Sequence, residues 1–320
     1  MVYEDATFLD EPLIVASWTA TVSLVIVGIG LCSDRRLSRV SVAPVWLNVA
    51  LAGVVGFAAL LVGVWTGVGF QLPYWLFRRV WSGTLNNACL QLFFLIQLLG
   101  SILYCVHRTS PTTHATSTQR KFFHFTISMI AIAGLFFDPA FTRLAAHLML
   151  QIFVILELLR SLSVYPWADI LNPALIGFID TAQESERFIA TPLLLISGIF
   201  LPLFLSPVNP TTAPLRLCHF AGVATVGIGD SFAAIAGSSW GRTRLWYPFI
   251  TRKSLEGSLA MFLGQGAFYG ILLASGAVEP WALASLLRVF VASIVCTGIE
   301  AALPIGDNLV LPIVAWFILD

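Results

Sequence analysis

The chain has 320 residues, of which 58% are hydrophobic and 11% charged, and its mean hydropathy is +0.88. A soluble domain is about a quarter charged, and disorder needs low hydrophobicity with high net charge, so neither class fits. Lys+Arg and Asp+Glu are 17 each, which leaves no basic excess for a nucleic-acid backbone. What remains is an all-α, multi-pass helical membrane protein surrounded by lipid, since helices satisfy their backbone groups internally.

Apolar runs occur near residues 13–32, 44–66, 87–106, 122–137, 141–163, 188–206, 215–236, 256–276, 281–299 and 308–319. A span takes about 20 residues, so the runs predict about nine to ten transmembrane helices in a single membrane domain, 1–320, the last run being short. The N-terminus, MVYEDATFLDEP, is acidic where a signal peptide is basic, which predicts a retained first span. Residues 1–106 carry spans and no motif. Cys32, Cys89, Cys105, Cys218 and Cys296 are scattered without a CxxC pair, and mostly sit in apolar runs, as small hydrophobes do.

Basic residues mark alternate loops: Arg35, Arg36 and Arg39; Arg108, Arg120 and Lys121; Arg160 and Arg187; Arg242, Arg244, Arg252 and Lys253. By the positive-inside rule these loops face the cytoplasm and the N-terminus lies opposite. Arg78 and Arg79 run against this pattern.

Segment 227–257 is the richest in chemistry. Asp230 stands inside an apolar run, where a charge is costly and marks a candidate functional group. Ala233, Ala234, Gly237 and Gly241 follow at helical spacing and make a smooth face, which also suits close helix packing. Ser238 and Ser239 then offer hydroxyls, and Arg242, Arg244, Arg252 and Lys253 offer cations suited to phosphate oxygens. Ser254 can cap a new helix with Glu256 in its first turn, a start that favours anions. Carboxylates on either side of the cations suggest a metal–polyphosphate site, with Asp230 and Glu256 holding Mg²⁺. The competing readings are a loop with ordinary topogenic charge and, for Asp230, a buried ion pair with an arginine such as Arg288. Neither a dinucleotide fingerprint nor a P-loop is present.

Two more constellations stand out. Arg120 and His124 are four apart and share a helix face at a membrane surface, a pattern that an interfacial arginine and a satisfied histidine also produce. Asp307 and Asn308 stand at the start of the last apolar run, where a helix cap is the alternative. Glu157 and Arg160, i and i+3, predict a structural ion pair. Asp180, Glu184, Glu186 and Arg187 predict a solvated loop. His107, His114, His147 and His219 show no metal-ligand spacing.

In order along the chain these elements read R-K-x-x-H (Arg120, Lys121, His124), G-D-S-x-A-x-x-x-G-x-x-x-G (Gly229 to Gly241), K-S-x-E-G (Lys253 to Gly257) and D-N-L-x-L-P (Asp307 to Pro312). Together they resemble the polyprenol kinase family, most closely its dolichol-phosphorylating branch, over roughly 120–315. The resemblance implies a multi-pass enzyme of the endoplasmic reticulum membrane that phosphorylates dolichol or a related polyprenol with CTP. Loop 237–253 corresponds to the family's CTP-binding loop, with Gly237, Ser238, Gly241, Lys253, Glu256 and Gly257 matching the pattern directly. On that reading Asp230, with Glu256 or Asp307, holds Mg²⁺, and Lys253, Arg252, Arg242 and Arg244 grip the triphosphate. His124 or Asp307 takes the alcohol proton, and the sequence does not choose between them. Rival readings are another CTP-dependent lipid kinase, acting on diacylglycerol, phytol or farnesol, or a phosphatidate cytidylyltransferase, which shares the K-[ST]-x-E-G pattern; R-K-x-x-H favours the kinase. A transporter would need inverted repeats and a midplane site, whereas the charges here cluster at one face.

Overall fold

A computed structural model describes residues 10–33, 43–67, 74, 77, 85–108, 115–176, 188–208, 213–245, 253–278, 282–303 and 306–320. Arg35, Arg36, Arg39, Arg78, Arg79, His114, Asp180, Glu184, Glu186, Arg187 and Arg252 lie outside the described residues. The chain is all-α. Among the described residues eight helices are long and apolar enough to cross a membrane, and Thr191–Leu205 and Asp307–Leu319 are shorter apolar helices. The chain divides into two compact units, residues 1–114 with 140–193, and 115–139 with 194–320.

The first unit contains α1 (Asp10–Ser33), α2 (Ala43–Trp65), α3 (Leu85–Arg108), α5 (Pro139–Ser161) and α6 (Trp167–Leu175). Trp18 Nε1 donates to His147 Nδ1 at 3.2 Å, and Arg143 pairs with Glu11, so α5 is tied to α1 by polar side chains. The predicted ion pair is present on α5. Arg160 Nε and Nη2 each donate to the Glu157 carboxylate at 2.7 Å, and the Ile189 N–H donates to Glu157 Oε1 at 2.7 Å. With the Arg160 Nη1 bond to Asn172 Oδ1 at 3.1 Å, the buried charges are well satisfied, as burial requires.

The second unit holds every constellation singled out for chemistry. It contains α4 (Ser117–Phe137), α7 (Thr191–Leu205), α8 (Asp230–Trp240), α9 (Leu255–Ser275), α10 (Leu283–Ala302) and α11 (Asp307–Leu319). Phe220, Met261, Tyr269, Ile196, Ile199 and Leu203 are among its fully buried side chains. Segment Leu217–Trp240 is the most buried long apolar stretch among the described residues.

That segment does not form the single regular helix its apolar run predicts. A 3₁₀ turn, Leu217–Phe220, and a π-helix, Val223–Gly229, precede α8. Two local causes act. Thr225 Oγ1 donates to Ala221 O at 2.7 Å and Ser231 Oγ to Gly227 O at 2.6 Å, side-chain bonds that compete with the helical ladder. Gly227 also lies hard against α4, where an added Cβ would overlap Ser128 Oγ. The underwound stretch ends at Gly229, so Asp230 opens a regular helix. Single π-turns of this kind recur beside functional sites.

Candidate active site

The first part of the site is built on α4. Thr116 caps this helix, accepting the Gln119 N–H at 3.3 Å while Gln119 Oε1 accepts the Thr116 N–H at 2.9 Å. The capped turn fixes the face that carries Lys121 and His124. Antiparallel to it, α8 brings Ser238 Oγ within 3.4 Å of Thr118 Oγ1 at one end and Asp230 against Lys121 and His124 at the other.

Asp230 is the centre of this cluster. Lys121 Nζ donates directly to Asp230 Oδ2, and His124 Nε2 lies 3.4 Å from both that oxygen and Lys121 Nζ. The side chains of Lys121 and Asp230 are only 11% and 15% exposed, so neither charge is left in hydrocarbon without its partner. His124 is more enclosed, at 5%, and its Nδ1 faces Arg120 O at 3.4 Å. The sequence alternative of an arginine partner is replaced by this lysine. Arg288 Nη1 instead donates to Leu319 O at 3.2 Å, at the end of α11.

The second part forms where α9, α10 and α11 meet. Lys253 Nζ, just before α9, pairs with buried Glu300 on α10 and lies 3.8 Å from Asp307 Oδ2 on α11. Asp307 occupies the first helical position of α11 after Gly306, whose φ of 86° is the left-handed conformation glycine adopts without strain. Its Oδ1 accepts the Asn308 N–H at 2.9 Å, and its negative charge suits the helix start. The helix α11 packs against the π-helix Val223–Gly229 that leads into Asp230, so the two parts are built on touching elements. Glu300 was not anticipated from the sequence. The signal was there, since it is a carboxylate inside an apolar helix, the same reasoning that marked Asp230.

The third part is the rim. Ser238, Ser239, Gly241, Arg242 and Arg244 are exposed at the end of α8. The chain then folds back. Leu245 N–H donates to Lys253 O at 3.1 Å and Leu255 N–H to Thr243 O at 2.9 Å, forming an antiparallel bridge at Arg244 and Ser254. Ser254 caps α9 as expected, accepting the Gly257 N–H at 3.2 Å. The glycine face of α8 is used for helix packing. A Cβ on Gly257 would stand 3.0 Å from Ala233 O and 3.5 Å from the Gly237 Cα, so α8 and α9 approach at backbone distance. This approach sets Lys253 and Ser254 beside the end of α8. Glu256, expected among metal ligands, has both carboxylate oxygens on the Thr243 N–H, at 3.0 and 3.2 Å, where it anchors the rim.

The structure thus gathers Lys121, His124, Asp230, Lys253, Glu300 and Asp307 into one acidic and cationic centre, and places the serines and arginines on an exposed rim beside it. Among the described residues no group of three His, Cys, Asp or Glu side chains forms a ready cage for a metal. Mg²⁺ commonly takes one or two carboxylates and completes its shell with water and substrate phosphates. Asp230 and Asp307 are hard oxygen ligands, each beside a lysine, and fit that mode.

No protein-family profile and no solved structure matches the chain. Curated sequences do. The chain is 29% identical to the dolichol kinase of Mus musculus over 282 residues, 77% of this chain and 49% of that protein. It is 31% identical to the dolichol kinase of Bos taurus over 64% of this chain and 38% of that protein. It is 26% identical to dolichol kinase EVAN of Arabidopsis thaliana over 78% of this chain and 43% of that protein. The chain spans about half the length or less of these three curated relatives. The chain is thus similar over most of its length to dolichol kinases of animals and a plant.

Proposed function

We propose that the chain transfers the γ-phosphoryl group of CTP to the terminal hydroxyl of dolichol or a related polyprenol. The product is dolichyl phosphate, the lipid carrier used in protein glycosylation. The observation that carries this reading is that Asp230 and Asp307, each beside a lysine and each drawn from a different motif, stand on elements that touch. The names of the homologues supply the acceptor class.

Phosphoryl transfer asks a protein for positioning and for compensation of charge. Bound Mg²⁺ would neutralise phosphate charge, with Asp230 and Asp307 as its protein ligands. Arg242 and Arg244 on the rim, with Arg252, draw the triphosphate to the site, and Lys253 contacts the phosphates from its place beside Glu300. Ser238 and Ser239 donate hydrogen bonds at the end of α8. Glu256 holds the rim strand against Lys253. Lys121 pairs with Asp230 and holds it in place. The lipid hydroxyl attacks the γ-phosphorus, the bond to the β-phosphate oxygen breaks, and CDP leaves. The alcohol proton passes to His124, or to Asp307 where that carboxylate is not engaged as a metal ligand. The reaction belongs at the endoplasmic reticulum membrane, with the 237–253 loop toward the cytoplasm, as the alternate basic loops favour.

The test is product analysis with purified protein and doubly labelled CTP. A lipid monophosphate with CDP release supports the proposal. A CDP-lipid with pyrophosphate release identifies a cytidylyltransferase instead, and preference for diacylglycerol, phytol or farnesol over dolichol identifies a different kinase.

A further inference from the structure

The π-helix before Asp230 is gripped from two sides. From α4, Ser128 lies against Gly227. From α9, which runs antiparallel to it, Gly257 meets Ala233, Gly264 meets Phe232 and Gln265 meets Gly229. Gln265 is wholly buried, and both its amide nitrogen and its amide oxygen are without a hydrogen-bond partner among the described residues. An amide enclosed in that state is costly in an apolar core. An unbranched apolar side chain such as methionine would fill the place without that cost, so the amide points to a polar partner.

Two further polar groups lie beside it. A Cβ built on Gly229 would stand 2.6 Å from Gln265 Nε2 and 3.1 Å from Ala224 O, so the amide and a carbonyl of the π-helix border the same spot, where Gly229 has no side chain. Tyr269 lies one turn beyond Gln265 on the same face of α9. It is also wholly buried, and its hydroxyl is unpartnered too. Long side chains on a helix lean toward its N-terminus, which carries that hydroxyl back toward Gln265. Gln265 and Tyr269 make no direct bond, and a buried water typically joins about three such groups. All three groups are neutral, which suits water rather than an ion. Both side chains are fully enclosed, which bars a larger ligand.

We propose that ordered water bound by Gln265, Tyr269 and Ala224 O joins α9 to the π-helix and so positions Asp230. The water accepts from Gln265 Nε2 and donates to Ala224 O, and the Tyr269 hydroxyl is its third partner. Gly229 is the residue before Asp230, so the joint fixes the turn from which the Asp230 carboxylate reaches Lys121 and His124. Gln265 and Tyr269 are positioning residues and touch no substrate. The positioning role rests on the kinase reading above, and the water does not.

The experiment uses the full chain in lipid nanodiscs and compares wild type with Gln265→Met, Tyr269→Phe and the double variant. If water joins the two residues, each single variant strands the other group and melts below wild type. The double variant then loses less than the sum of the two. If no water is bound, each variant removes an orphaned polar group and melts at or above wild type, and the two changes add; that result overturns the proposal. A direct bond from Gln265 to Ala224 O would lower the midpoint of Gln265→Met alone and leave Tyr269→Phe at wild type, which overturns it as well. Should Gln265→Met fail to fold, Tyr269→Phe decides by the same sign, since it keeps the ring. Positioning is read in catalysis. Gln265→Met should lose about 10–100-fold in turnover, the scale for losing a group that orients a metal ligand. Its Mg²⁺ half-saturation should rise while its KM for dolichol stays at the wild-type value. Folded Gln265→Met with wild-type turnover and Mg²⁺ dependence overturns the positioning role. If wild type phosphorylates no isoprenoid alcohol, the kinase reading fails, and the melts then decide the water on their own.

Discussion

At the scale of residues, the site depends on charges that stand in an apolar setting only because each has a partner. Lys121 is held by Asp230 and touches His124, so removing it alone strands a buried carboxylate. Breaking such a pair costs about 3–5 kcal/mol. Lys121→Met should therefore lower the unfolding midpoint in detergent. The double variant Lys121→Met with Asp230→Asn should recover much of that stability while remaining inactive, and a double-mutant cycle measures the coupling. Lys253→Ala should insert normally and lose about 10²–10³ in turnover, the usual cost of a lost transition-state contact. A folded Lys253→Ala protein with near-normal turnover contradicts the role given to that lysine. Much of this centre was legible in the sequence, because a carboxylate in an apolar run and a lysine before a capped helix stand out on physical grounds. The pairings were not. Lys121 and Asp230 are 109 positions apart, and Lys253 and Glu300 are 47 apart. Nothing in local spacing encodes such distances. Glu256 shows what local spacing leaves out: its place in a first helical turn beside cations suits a metal ligand, and the fold adds the Thr243 N–H as a donor to its carboxylate.

At the scale of elements, the apolar runs gave the helices nearly as they stand. The run at 122–137 appears as α4, extended N-terminally to Ser117 by a capping box of polar residues that hydropathy does not register. The run at 188–206 appears as α7, only 15 residues long. The interruption before Asp230 was hidden, because hydropathy is blind to whether a turn is 3₁₀, π or α. Its cause is contact with a neighbour. Gly227→Ala should place a methyl group on Ser128 Oγ and lower thermal stability, and adding Ser128→Ala should restore part of the loss. Circular dichroism melts of the two variants check this. If Gly227→Ala melts like wild type, the close approach is not what sets the π-turn. The start of α9 is a smaller lever. Ser254→Ala removes a cap and should cost about 1 kcal/mol, read as a lower unfolding midpoint.

At the scale of the whole molecule, the residues proposed for chemistry fall in the second unit, and among the described residues the first contributes apolar helices and a well-satisfied Glu157–Arg160 pair. The proposed orientation rests on alternate basic loops, and an epitope inserted after Arg244 in sealed microsomes should be open to antibody from the cytosolic side. Protection until full permeabilisation would separate the rim from cytosolic CTP. On the proposed reading Asp230 and Asp307 form a phosphate-bound Mg²⁺ site rather than two structural ion pairs. The most direct measurement is the specific activity per folded molecule of Asp230→Asn across a Mg²⁺ titration with CTP and dolichol. A folded protein is expected, with turnover lowered about 10²–10³-fold and a higher Mg²⁺ half-saturation. Unchanged specific activity with an unchanged Mg²⁺ dependence would contradict it.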